Sequence, residues 1–137
     1  MGICLYCNSA LLKSNRKYCS NKCQADYTYA AYIKKWLLGE EDGSRGKVTK
    51  NFSGHVVRYL YERYDSRCSL CGWNKVNKKL GKTPLEIDHI DGDHNNNKLS
   101  NLRLICPNCH SLTDTFRNLN YGNGRKWRKD KYIRVKL

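Results

Sequence analysis

The chain has 137 residues, room for one compact domain or a small domain with an appended module, and it carries only two Phe and one Met, which excludes a large aliphatic core. Its formal charge is +14 at pH 7, and counting the eight cysteines as thiolates on two zinc ions still leaves about +10, so a polyanion, nucleic acid above all, is the expected partner. No apolar run approaches a membrane span and the start, Met1-Gly2-Ile3-Cys4, has no charged-then-apolar leader, which predicts a soluble intracellular protein with no membrane partner.

The cysteines fall in close pairs along the chain: Cys4 and Cys7, Cys19 and Cys23, Cys68 and Cys71, Cys106 and Cys109. In a reducing compartment such pairs read as zinc ligands, because a short turn aims two sulfurs at one ion. Proximity predicts one structural Zn2+ on Cys4, Cys7, Cys19 and Cys23 and a second on Cys68, Cys71, Cys106 and Cys109. Free thiols or a redox pair are the alternative at each site.

Residues 1–38 form the expected N-terminal zinc module and helix. From Gln24 to Leu38 the residues Tyr27, Ala30, Ala31, Ile33, Trp36 and Leu37 lie at helical spacing, and Gly39 supplies the stop. Residues 39–50, Gly- and charge-rich without periodicity, read as a flexible linker. Residues 51–120 form the second domain, in which a helix begins after Ser53 as N-cap and runs through Val56, Val57, Tyr59, Leu60 and Tyr64. Leu85 to Ile90 alternates as a strand should, and Leu102 to Ile105 reads as its antiparallel return. Between them lies a polar loop, Asp91 to Ser100. A final helix is expected from about Asn108 through His110, Phe116 and Leu119. Residues 121–137 form a basic tail in which Arg and Lys interleave with Tyr121, Trp127 and Tyr132, suited to lying along a nucleic acid.

Chemistry concentrates between Asp88 and His110. A carboxylate and an imidazole together make a harder, partly open metal site than thiolates do, of the kind that activates phosphate esters. In order along the chain, Asp88-His89, Asn101-Leu102 and Cys106-Pro107-Asn108-Cys109-His110 resemble the motif of the HNH nucleases, over roughly residues 64–119. The N-terminal zinc module and linker more loosely resemble free-standing phage-type HNH endonucleases, some of which are homing enzymes. The resemblance implies a small zinc-stabilised α+β fold with a ββα-metal motif, in which strand, loop, strand and helix surround one divalent ion.

It further implies a phosphodiester hydrolase acting on double-stranded DNA, leaving a 3′-hydroxyl and a 5′-phosphate. One site would nick one strand, so cutting both would need a dimer or a second encounter. His89 would be the general base, Asp88 and His110 would hold one catalytic Mg2+ or Mn2+, and Asn101 would brace the loop that orients His89. His89 could instead be a metal ligand and Asn101 a turn cap. Asp91 and Asp93 read as turn residues and His94 as a surface polar residue. Arg103, Arg117, Arg125, Lys126, Arg128 and Lys129 are candidate DNA contacts. Regular strand geometry sends adjacent side chains to opposite faces, so Asp88 and His89 call for a local distortion if both are to serve one site. A phage origin would place the protein in the host cytoplasm. The competing function is a zinc-dependent DNA-binding or phage packaging accessory protein with a vestigial nuclease site.

Overall fold

A computed structural model of the chain describes residues 2–46 and 51–120. Two compact units divide between Glu41 and Asp42.

In the first unit a knuckle turn comes before helix α1, Asn21–Leu37. The helix starts three residues ahead of the apolar pattern because the Ser20 hydroxyl accepts a hydrogen bond from the Cys23 N–H at 3.1 Å, a strong N-cap. It ends where Gly39 adopts φ 82° and the Gly39 N–H returns to the Trp36 carbonyl. Its buried positions are Asp26, Ile33 and Trp36, a narrower face than the sequence pattern indicates, with Tyr27 and Leu37 exposed. The buried Asp26 carboxylate is met by Lys22, one turn earlier, at 2.6 Å.

The second unit begins inside the stretch that composition marks as a flexible linker. Asp42 accepts from the Ser44 N–H, Ser44 bridges Phe52, and Ser53 N–H donates to the Gly43 carbonyl, so Asp42 to Arg45 is tied back onto Asn51 to Ser53. Gly-rich polar sequence reads as a joint, but these backbone bonds recruit Asp42 to Arg45 into the folded unit. Helix α2, Gly54–Arg63, follows the Ser53 N-cap and buries Val56 and Leu60. Its Tyr61 hydroxyl donates to the Thr83 carbonyl at 2.9 Å and accepts from the Leu85 N–H at 3.2 Å, pinning the helix to the start of the first strand.

Strands β1, Glu86–His89, and β2, Leu102–Ile105, pair antiparallel, with Asp88 opposite Arg103 and His89 opposite Leu102. Alternation divides β2 between two covered faces. Leu102 and Leu104 turn to one side, where α2 packs, and Arg103 and Ile105 to the other, where Ile105 joins Cys68, Cys106, Trp73 and Leu85. Helix α3, Pro107–Ser111, packs on β1.

The long final helix expected through Leu119 is not formed. α3 stops at Ser111, and a separate 3-10 turn spans Arg117–Asn120. Leu112 and Leu119 are largely exposed, so no apolar stripe drives continuation. The Ser111 and Thr113 hydroxyls meanwhile bond back to the Asn108 and His110 carbonyls. Among the described residues no helix is long and apolar enough to cross a membrane.

Candidate active site and metal centres

Both cysteine quartets come together. The sulfurs of Cys4, Cys7, Cys19 and Cys23 lie within 4.8 Å of one another, as do those of Cys68, Cys71, Cys106 and Cys109. Cys7 to Cys19 is 3.5 Å, Cys19 to Cys23 3.4 Å, and Cys71 to Cys106 3.7 Å. A tetrahedral zinc with Zn–S bonds of about 2.3 Å sets its sulfurs about 3.8 Å apart, and a disulfide needs about 2.05 Å, so the spacing fits a metal and not a bridge.

The two centres share a plan. The Cys4 N–H bonds the Ser9 carbonyl and the Asn8 N–H the Cys4 carbonyl; equivalently, Cys68 bonds Trp73 and Gly72 bonds Cys68. The residue after each knuckle, Asn8 at φ 63° and Gly72 at φ 78°, takes the left-handed conformation that the turn requires. The other two ligands of each centre stand at a helix N-terminus. In the second, the Cys106 sulfur is itself the N-cap of α3, accepting from the Cys109 N–H at 3.4 Å. In the first, Ser20 is the cap and Cys19 lies one residue outside it. That displacement accounts for the three-residue gap between Cys19 and Cys23 where the other pairs have two.

Electrostatics agrees with a cation at each centre. N–H groups, first that of Cys7, bring Cys4 down to about 6. Burial opposes ionisation of Cys68, but N–H donors at Cys106, Cys71 and Leu70 outweigh it and leave that thiol at about 6. The crowded neighbours go the other way: Cys19 is pushed up to about 12, chiefly by Cys23, and Cys109 to about 12, chiefly by Cys106. Four thiolates cannot coexist at this spacing without a positive charge between them, and an all-sulfur tetrahedral set suits zinc.

The second centre ties the base of the β1–β2 hairpin to α3, and the Ser69 N–H bonds the Leu104 carbonyl beside it. On the hairpin face toward α3, Asp88 is 5% exposed; its Oδ2 accepts from Arg103 Nε at 2.7 Å and its Oδ1 lies 3.8 Å from His110 Nε2. The other nitrogen of His110, Nδ1, meets Glu86 Oε2 at 2.5 Å, and the ring stands edge-on to Phe116. The Asp88–His110 gap is too long for a hydrogen bond. It falls within the about 4.2 Å that two ligands of one ion can span at metal–oxygen lengths of about 2.1 Å, so these residues fit a divalent ion between them.

His89 leaves the strand on the opposite face, stacked on Phe52 at 5.2 Å and bonded through Nε2 to Asn97 Oδ1 at 2.7 Å. The distortion expected at Asp88 and His89 is not there. Both keep regular register, β1 ends at His89, and the chain turns at Gly92, φ 76°. Asn101 is buried in the returning loop, where its Oδ1 accepts the Asp91 N–H at 3.0 Å and its Nδ2 donates to Asp91 Oδ1 and the Asn96 carbonyl. The Asp91 carboxylate is held below its usual range, mainly by the Asn96 amide, then by the Asp93 N–H and Asn101. Asp93 is likewise a turn residue, its Oδ1 taking the Asn95 N–H. His94 is half-buried in the same loop.

Glu86 and Asn97 were not among the sequence candidates. Glu86 was within reach, since two residues before Asp88 on a strand means the same face. Asn97 sits in the run Asn95-Asn96-Asn97, and nothing local distinguishes it from its neighbours. Of the candidate DNA contacts, Arg103 is about three-quarters buried against Asp88, and Arg117 is exposed with its guanidinium 4.9 Å from the Phe116 ring. Arg125, Lys126, Arg128 and Lys129 lie outside the described residues, as does the rest of the 121–137 tail.

Residues 68–116 match the family model of the HNH endonucleases. The chain is 46% identical over 57 residues to the H-N-H endonuclease F-TflIV of Escherichia phage T5. That stretch is 41% of this chain and spans about a quarter, 24%, of the phage protein. No solved structure matches the chain.

Proposed function

From the HNH endonuclease domain that residues 68–116 carry, we propose that this protein is a metal-dependent DNA endonuclease that hydrolyses phosphodiester bonds, one strand per site, in a phage or mobile-element setting. The observation that carries the reading is the gap of 3.8 Å between Asp88 Oδ1 and His110 Nε2, on a hairpin whose last residue is His89.

Asp88 and His110 would hold one Mg2+ or Mn2+, which would supply positive charge to offset that developing on the scissile phosphate. Arg103 holds the Asp88 carboxylate by Oδ2 and leaves Oδ1 toward His110. Glu86 accepts the Nδ1 proton of His110 and so presents Nε2 as the unprotonated ligand nitrogen. His89, the last residue of the strand and on its other face from Asp88, would take the proton of the attacking water where the scissile phosphate reaches around the end of the hairpin. Asn101 braces the loop through Asp91 and Asn96, and the products are a 3′-hydroxyl and a 5′-phosphate. The two Cys4 centres would hold structural zinc, and double-stranded DNA would be gripped by the basic surface, with a dimer or a second encounter where both strands are cut.

A supercoiled-plasmid assay tests this. Wild type with Mg2+ or Mn2+ should convert supercoiled DNA to the nicked circle, EDTA should stop it, and His89→Ala should lower the rate by about 100-fold or more. Absence of metal-dependent nicking on DNA containing its natural target would end the nuclease reading. A His89→Ala variant as fast as wild type would end the base assignment alone.

A further inference from the structure

Two side chains from separate parts of the second unit bracket the His89 ring. Phe52, two residues ahead of α2, covers its face, with the rings 21° from parallel. Asn97, 7% exposed, meets its edge, Oδ1 to Nε2 at 2.7 Å. A carbonyl-type oxygen only accepts, so Nε2 must carry the hydrogen and the neutral ring is left with its lone pair on Nδ1. Among the described residues no side chain engages Nδ1.

Asn97 is itself held from the loop. The Asn96 carbonyl, in the peptide bond that joins it to Asn97, accepts from Asn101 Nδ2 at 2.9 Å, and the Asn96 amide donates to Asp91 Oδ2. A continuous path of bonds therefore runs from Asn101 through the Asn96–Asn97 peptide to the ring of His89.

We infer that Asn97 is the positioning residue that selects the His89 tautomer, directing the proton-accepting Nδ1 toward substrate, and that Asn101 acts on His89 through it. This deepens the proposed function and rests on His89 being the base. Phe52 contributes the plane of the ring and Asn97 its rotation and proton placement. Neither touches the scissile group.

The test uses the full-length zinc-loaded protein and a labelled duplex containing a cleavable site. Asn97→Leu, near in size but without an acceptor, should lower kcat on the order of 10- to 100-fold while KM for DNA and zinc content stay at wild-type values. Asn97→Asp, which restores the acceptor, should recover most of that loss. Nitrogen-15 NMR of the neutral His89 ring in wild type should place the proton on Nε2, and in Asn97→Leu the two tautomers should mix. Wild-type kcat in Asn97→Leu, or a wild-type ring protonated on Nδ1, overturns the inference. If Asn97→Leu loses zinc or fails to fold, the wild-type tautomer decides alone. His89→Ala, run alongside, separates the two failures. An unaffected His89→Ala removes the base reading beneath the inference, whereas an inactive His89→Ala beside an unaffected Asn97→Leu removes only the role of Asn97.

Discussion

Arg103 and Asp88 face one another across the two strands, guanidinium Nε to carboxylate Oδ2 at 2.7 Å, with Asp88 almost wholly buried and Arg103 about three-quarters so. Removing the guanidinium leaves a buried carboxylate without its counter-charge. Arg103→Met should lower stability by about 2 kcal/mol, read as a fall in Tm, because breaking such a pair costs more than the pair contributes net. Cleavage should fall further than DNA affinity, since the damage is to Asp88. A variant that loses only affinity would place Arg103 on the DNA backbone instead.

Glu86 and His110 form a second couple, Oε2 to Nδ1 at 2.5 Å. Glu86→Gln keeps the shape but weakens the acceptor that orients the imidazole. The concentration of Mg2+ giving half-maximal cleavage should rise about 10-fold, while zinc content is unchanged. Isothermal titration with Mn2+ should give the same shift.

Zinc binding must displace protons. Cys19 and Cys109 sit at about 12 without metal, so each gives up a proton when its centre is filled near neutral pH. Cys4 and Cys68, at about 6, are mostly ionised at pH 7 and become protonated below pH 6. Apparent zinc affinity should therefore fall steadily as pH drops from 8 and more steeply below 6. Calorimetry in buffers of different ionisation enthalpy measures the release directly, and no release would contradict thiolate ligation. Metal analysis should find two zinc ions per chain, and Cys71→Ser should lose one of them.

Gly92 stands at φ 76°, and a Cβ there would come within 2.3 Å of Asn120 Oδ1 and 2.9 Å of Thr115 Cγ2. The Asn120 amide donates to the Gly92 carbonyl at 2.8 Å, joining the 3-10 turn to the loop beyond His89. Gly92→Ala should cost about 1–2 kcal/mol from conformation alone, with the clash added. Adding Asn120→Ala should return only the part of the clash that Asn120 makes, leaving the conformational cost and the contact with Thr115. A double-mutant cycle on thermal unfolding separates the two.

Asn101→Ala removes one acceptor and two donors from a buried position and should cost about 2–3 kcal/mol, with hydrogen exchange rising across residues 90–101. Its partner Asp91 has a carboxyl lowered by Asn96 first, then by the Asp93 N–H. A lowered value means that this contribution is present above the ordinary carboxylate pKa of about 3.9 and is lost as acid protonates the folded form. The loop should thus open in acid below that range, and Asp91→Asn should blunt the response.

The cysteine pairs, the Ser53 cap, β2 and the order Asp88, His89, Asn101, His110 were all legible in the chain, because each depends on residue type at short spacing. Metal knuckles, helix caps and strand alternation are local devices, and local sequence encodes them. The far end of α3 misled, since Leu112 and Leu119 sit at helical spacing but have no surface to pack on. Spacing reports periodicity and not the presence of a partner. The backbone bonds from Asp42–Arg45 to Asn51–Ser53 likewise leave no mark in composition. Sequence by itself therefore picked out the residues proposed to carry the chemistry and determined which sulfurs gather into quartets. Only the tertiary structure decided that Glu86 and Arg103 hold His110 and Asp88, and that Phe52 and Asn97 bracket His89. Those contacts join residues brought together by hairpin closure, with Asn97 chosen from three consecutive asparagines by the curvature of a loop.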